Sequence, residues 1–166
     1  MRVSVIGGGR VLEGESAYAA AREVGRRCGR RGHSIVCGGR GGVMGAACRG
    51  LREGRREGAN RPDDSGATAR AVGVLPGTDP AAANDCVDVP IATGLGNARN
   101  VLVALNGRAV VAIDGSTGTL SEIGHALDFG RPVAAIDGPD LSSFDGYEAY
   151  ERPVETVESI ERRAED

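Results

Sequence analysis

Residues 113–122, Ile-Asp-Gly-Ser-Thr-Gly-Thr-Leu-Ser-Glu, hold two kinds of chemistry in ten positions. An apolar run, 109–113, stops at a turn of Gly115, Ser116, Thr117, Gly118 and Thr119, and Glu122 follows as a helix begins. Such a turn offers backbone N–H groups and hydroxyls at a helix N-terminus, where the partial positive charge suits a phosphate. The spacing also fits a capping box, Thr119-Leu120-Ser121-Glu122. In that reading Glu122 reaches back to the Thr119 N–H, for about 1 kcal/mol of stability. The readings are compatible, because a capping glutamate faces the space a ligand fills.

Two further glycine clusters end apolar runs: Gly7-Gly8-Gly9 and Gly38-Gly39-Arg40-Gly41-Gly42. Glycine permits positive φ and lets a ligand approach the backbone. Tight strand-to-helix turns need glycine anyway, so one cluster alone says little. Three on one sheet edge say more, and Gly8, Gly39, Gly41, Gly42 and Met44 join the predicted ligand-binding set with residues 115–119. The first cluster does not satisfy G-x-G-x-x-G, since Val11 and Leu12 hold the later positions, and no acid ends the second strand. A standard dinucleotide site is therefore disfavoured.

The third piece is TGLGNARNVLVAL, 93–105. Leu95, Ala98, Leu102 and Leu105 share a helical face and read as core. Arg99 lies beside that face near the helix start. A solvated surface arginine is the default there, but a helix beginning at the same edge brings Arg99 over the mouth where Glu122 sits.

The elements that must position these residues alternate. Strands are expected over 2–6, 33–37, 71–75, 86–91, 109–113 and 132–136. Helices are expected over 16–31, 43–56, 96–106, 119–129 and 153–164, the last with Pro153 in its first turn. Strands apolar throughout and linked by helices imply a parallel sheet covered on both faces. The fold class is α/β: one Rossmann-like, doubly wound domain over 1–166, with ligands at the strand carboxyl ends. The polar stretch 57–69 reads as a surface loop.

Composition narrows the function. Glycine is abundant, at 27 of 166 residues, but it punctuates apolar runs instead of forming a low-complexity block, so a folded α/β chain fits better than disorder. No apolar run approaches the ~20 residues of a membrane span and nothing resembles an export signal, so a cytoplasmic protein is expected. Cys28, Cys37, Cys48 and Cys86 have no C-x-x-C spacing and read as reduced, small apolar residues. Residues 1–70 carry 14 arginines against 7 acids, and residues 71–166 carry 6 against 16. Arg22, Arg26 and Arg30, like Arg49, Arg52 and Arg56, recur at helical spacing and read as solvated faces, or as a balance to the acidic half across a subunit contact. Without Trp and with few Tyr or Phe there is no stacking platform, and nucleic-acid binding is disfavoured.

Four stretches together, CGGRGGVMGAACRG (37–50), LPGTDP (75–80), TGLGNARN (93–100) and DGSTGTLSEI (114–123), resemble in order and spacing the superfamily of Lonely Guy cytokinin-activating phosphoribohydrolases. Proteins long mislabelled as lysine decarboxylases belong to it. The chain looks most like its short molybdenum cofactor carrier-like branch, over most of residues 1–136. The resemblance implies that Gly115, Thr117, Gly118 and Thr119 hold a 5′-phosphate, that Arg99 and Glu122 form the catalytic pair, and that the protein is a homodimer or higher homo-oligomer. Against the motif P-G-G-x-G-T-x-x-E, Asp114 and Ser116 are departures, and Asn100 stands where a second basic residue is usual. An acid at 114 repels a phosphate unless it points away or is paired.

The implied activity is hydrolysis of the N-glycosidic bond of a nucleoside 5′-monophosphate, through an oxocarbenium-like state. Glu122 would hold the ribose hydroxyls or orient water, and Arg99 would position the sugar-phosphate. No cofactor or metal is required. The alternative is a non-catalytic carrier whose mouth holds a pterin phosphate such as the molybdenum cofactor, with Arg99 and the Gly38–Gly42 loop as ligands. His125, one turn after Glu122, is read as packing or interface, His33 as incidental, and Asp79 and Asn84 as ordinary loop formers that could touch a ligand.

Overall fold

A computed structural model describes residues 1–58 and 69–165. Among these residues seven parallel strands form one sheet in the order β4-β3-β2-β1-β5-β6-β7. They are β1 (Arg2–Gly7), β2 (Ser34–Cys37), β3 (Ala71–Leu75), β4 (Val89–Ala92), β5 (Ala109–Ile113), β6 (Val133–Ile136) and β7 (Tyr147–Ala149). The helices are α1 (Ser16–Arg30), α2 (Val43–Gly58), α3 (Asn100–Asn106), α4 (Thr117–Asp128) and α5 (Pro153–Glu165). The chain winds from β1 out to β4, then returns to lay β5 on the other side of β1. The switch in direction between β1 and β5 is where such sheets open a crevice at their carboxyl edge.

Two apolar cores flank the sheet. One packs α1, α2 and α5 on Val3, Val5, Ile35, Val111 and Ile113; the other packs α3 and α4 on Ile6, Val36, Val110 and Ala112. Because β1 and β5 are buried on both faces, they carry no polar alternation, as parallel strands require.

Helices α1 and α2 meet backbone to backbone. A side chain on Gly25 would collide with the Ala47 carbonyl, one on Gly50 with the Arg22 carbonyl, and one on Gly54 with the Arg26 carbonyl. The stripe of Arg22, Arg26 and Arg30 flanks this contact, Arg22 and Arg30 pairing across it with α2 acids and Arg26 mainly with its own helix. Arg22 binds Glu53 at 2.8 Å, Arg26 binds Glu23 at 2.7 Å, and Arg30 pairs with Glu57. Arg22 and Arg30 stay exposed, as the solvated-face reading expects, and acids of α1 and α2 in the same half of the chain meet the charge of all three.

Other expectations also shift. Strand β4 begins three residues later than predicted, after Asn84 and Asp79 have used their side chains on local turns. Strand β7 was not foreseen, since three residues carry no readable alternation. The predicted loop 57–69 overlaps the end of α2, and residues 59–68 of it lie outside the described residues. The predicted helix 96–106 divides into a 3-10 turn, Gly96–Arg99, and α3. Gly94 and Gly96, at φ 67° and 56°, make the approach irregular and rotate the helix. Its inward residues are Asn100, Val103 and Ala104, while Leu95 and Leu105, read as core, are 53% and 43% exposed.

Candidate functional site

All three glycine turns lie at the carboxyl ends of parallel strands and so share one edge. The β1 turn packs on the β2–α2 turn, where the Val43 N–H donates to the Gly8 carbonyl at 3.0 Å. Gly39 and Gly42 take φ of 71° and 62°, left-handed conformations that a side chain disfavours. Asn84 braces that turn from outside, its amide donating to the Arg40 carbonyl at 2.9 Å and to the Gly39 carbonyl at 3.3 Å. Met44 is buried beneath it, with its sulfur beside Gly38 and its methyl beside Gly9.

The β5 turn differs from the capping-box expectation. Helix α4 starts at Thr117, two residues early, with Ser116 as its N-cap and the Leu120 N–H bonded to the Ser116 carbonyl at 3.0 Å. Glu122 therefore lies in the second turn, beyond reach of a capping role. Thr119 is buried with its side chain folded under Gly115, while Gly115, Ser116, Thr117 and Gly118 are exposed at the mouth. Asp114 has φ of 51°, and its carboxylate is turned sideways against Gly8 of the β1 turn.

Arg99 and Glu122 are each only 7% exposed. Arg99 Nη1 lies 3.6 Å from Glu122 Oε1 and also donates to Asn100 Oδ1. The guanidinium passes against Gly38, where a Cβ would come 2.5 Å from Nη2, so the absent side chain at 38 is what admits the arginine. Its Nε is buried with no hydrogen-bond partner among the described residues. Burial raises the Glu122 carboxyl to about 7 despite the opposing pull of Arg99, and burial likewise lowers the Arg99 guanidinium. An acid that titrates near neutrality beside a fixed cation suits proton handling or charge stabilisation at a sugar.

Cys37 and Cys48 lie below this floor with sulfurs 3.6 Å apart, and the Gly39 N–H points at the Cys37 sulfur at 3.4 Å. Asn100 was read only as a missing base, yet it is 7% exposed and grips Arg99. Its adjacency to Arg99 in sequence was the available signal. His125 is exposed and stacks on Phe129. His33 is not incidental, since it bonds Glu161 at 2.7 Å and ties β2 to α5. Among the described residues no cluster of three or more His, Cys, Asp or Glu is placed to hold a metal ion, and no helix is long and apolar enough to cross a membrane.

A family model described as the SLOG cluster4 family matches residues 1–163. The chain belongs to the SLOG cluster4 family. This agrees with the resemblance read from the four sequence stretches. An uncharacterized protein of Archaeoglobus fulgidus is 33% identical over 157 residues, 95% of this chain and 92% of that protein. Among solved structures, this SLOG chain is similar to the molybdenum cofactor binding protein of the phototrophic bacterium Rippkaea orientalis, with TM-score 0.80 and 27% identity over 97% of this chain and 95% of that one. It is likewise similar to the Moco carrier protein of Chlamydomonas reinhardtii, with TM-score 0.82 and 28% identity over 98% and 96% of the two chains.

Proposed function

We propose that this SLOG protein is a cytoplasmic phosphoribohydrolase that cleaves the N-glycosidic bond of a nucleoside 5′-monophosphate. The phosphate sits at the β5–α4 turn, on the exposed Gly115, Ser116, Thr117 and Gly118 with Thr119 buried beneath them, and Gly8, Gly39, Gly41, Gly42 and Met44 shape the rest of the mouth. Arg99 positions the sugar-phosphate, and ionised Glu122 orients water or the ribose hydroxyls and offsets charge developing on the ring. Binding energy at the remote phosphate is used at the sugar. The observation carrying this reading is the buried Arg99–Glu122 pair, 3.6 Å apart, at an edge where three glycine turns meet. Four unpaired cysteines fit a reducing compartment. Incubation with AMP and related monophosphates tests it: free base and ribose 5-phosphate are expected, and their absence with every monophosphate overturns it.

The likeness to molybdenum cofactor binding and carrier proteins favours a second reading, a non-catalytic carrier of a pterin phosphate. The same phosphate seat serves it, with the pterin as cargo and Glu122 dispensable. Pterin-phosphate binding that survives Glu122→Ala, with no turnover of nucleotides by the wild type, selects the carrier.

The protein acts as a homodimer. Ile91, Leu95, Leu105 and Leu120, 43–53% exposed, give the α3–α4 side of the molecule an apolar surface that a second copy would cover, beside a hollow of about 150 Å³ lined by Val36, Val72, Val74 and Leu102. The molar mass in solution is expected at twice that of the chain, and Leu105→Glu at once.

A further inference from the structure

Asn100 stands between the buried cation and the open turn. The residue is 7% exposed, and its Oδ1 accepts from Arg99 Nη1. A guanidinium has only donors, so this contact fixes which end of the amide is oxygen. Nδ2 therefore points the other way, toward Gly118, where a Cβ would lie 3.9 Å from it. Among the described residues Nδ2 has no hydrogen-bond acceptor, yet it is not sealed from solvent as Arg99 Nε is. Asn100 is nine-tenths buried, and the one free end of its amide opens toward the N-terminus of the 12-residue helix α4, where it can donate to an acceptor seated at that turn.

We infer that Asn100 is a ligand-binding residue, whose amide N–H donates to an anionic oxygen seated at the α4 N-terminus while its Oδ1 holds Arg99 in place. The inference rests on the phosphate seat proposed above and deepens it. Asn100, next to Arg99 in sequence, supplies a neutral donor there. The seat then holds a phosphate monoester by backbone N–H groups, one amide and one guanidinium, the last partly neutralised by Glu122. A neutral donor contributes direction without adding charge, so selection at this point follows hydrogen-bond geometry.

The test uses AMP as the probe and separates the donor from the brace. Asn100→Asp keeps an oxygen for Arg99, removes the donor and adds a carboxylate, so AMP affinity falls by about thirtyfold or more; because the added charge alone weakens AMP, the resonance of the wild-type amide is what separates donor from brace. The wild-type protein gives the second readout, which does not depend on a variant folding. The Asn100 side-chain N–H₂ resonance, assigned by its loss in Asn100→Asp or Asn100→Ser, is expected to move as AMP saturates. An unmoved resonance at saturation, or Asn100→Asp binding AMP within about threefold of wild type, overturns the inference. AMP binding that depends on Asn100 without release of base overturns only the hydrolase reading. A wild type that binds neither AMP nor inorganic phosphate overturns both.

Discussion

Arg99 Nη1 and Glu122 Oε1 face each other at 3.6 Å, too far for a strong hydrogen bond and with 8% and 9% of their side chains exposed. The pair is thus attracted but not locked, and Arg99 keeps Nε unpartnered among the described residues. The long contact leaves the two charges attracted without a hydrogen bond that fixes them to each other.

This arrangement sets a pH dependence for turnover. Glu122 titrates at about 7, and the proposed role needs it ionised. The kcat/KM for AMP is expected to rise about tenfold per pH unit below 7 and to level off above it. Glu122→Gln should lower it about hundredfold or more and abolish the rise. Steady-state assays of base release between pH 5 and 9 decide this.

Stability should move the opposite way. The folded state raises Glu122 from 4.5 to about 7, so between those values it binds more protons than the unfolded chain. Its contribution is greatest below about 4.5 and is lost as pH rises through 7, amounting to about 3 kcal/mol at most. Glu122→Gln mimics the protonated form and lacks this term. Urea unfolding of both proteins at pH 5 and pH 8 should show the variant gaining on the wild type at the higher pH.

Asp114 is expected to weaken the proposed anion seat without abolishing it. Its carboxylate is turned toward Gly8, away from the exposed face of the β5 turn, but remains in the crevice. Asp114→Asn keeps the left-handed backbone, which asparagine tolerates. AMP affinity by calorimetry is expected to rise about threefold to tenfold at low salt, and less at high salt.

Two Gly→Ala changes should have opposite signs. At Gly50 the new methyl overlaps the Arg22 carbonyl of α1, and the helices must separate. Stability should fall by about 2 kcal/mol, although alanine is the better helix former by about 1 kcal/mol. At Gly124, inside α4, a methyl meets nothing within 4 Å, so stability should rise by about 0.5–1 kcal/mol. Denaturant melts of both variants check the pair.

The alternation of apolar runs, and the glycines that end them, made the doubly wound sheet legible. A parallel strand buried on both faces, as β1 and β5 are, has to be apolar throughout, and a tight turn has to contain glycine. Spacing also put Arg99 and Glu122 at one edge, because parallel strands all end on the same side. Local pattern failed where the decisive contact lay outside the window. The Thr119–Glu122 spacing suggested a capping box, but the backbone of Ser116 started α4 earlier and carried Glu122 inward. Leu95 and Leu105 matched an apolar face, but two left-handed glycines rotated α3 and turned Val103 and Ala104 to the core.

The amino-acid order thus determined the strand sequence, the edge at which the turns gather and the residue types available there, since these follow from hydrophobic period and backbone freedom. Only the tertiary structure decided that Glu122 is buried against Arg99, that Asp114 turns to Gly8, and that Asn100 links the pair to the open turn. Burial and side-chain direction depend on segments far apart in the chain, and those meet only once the sheet has closed around them.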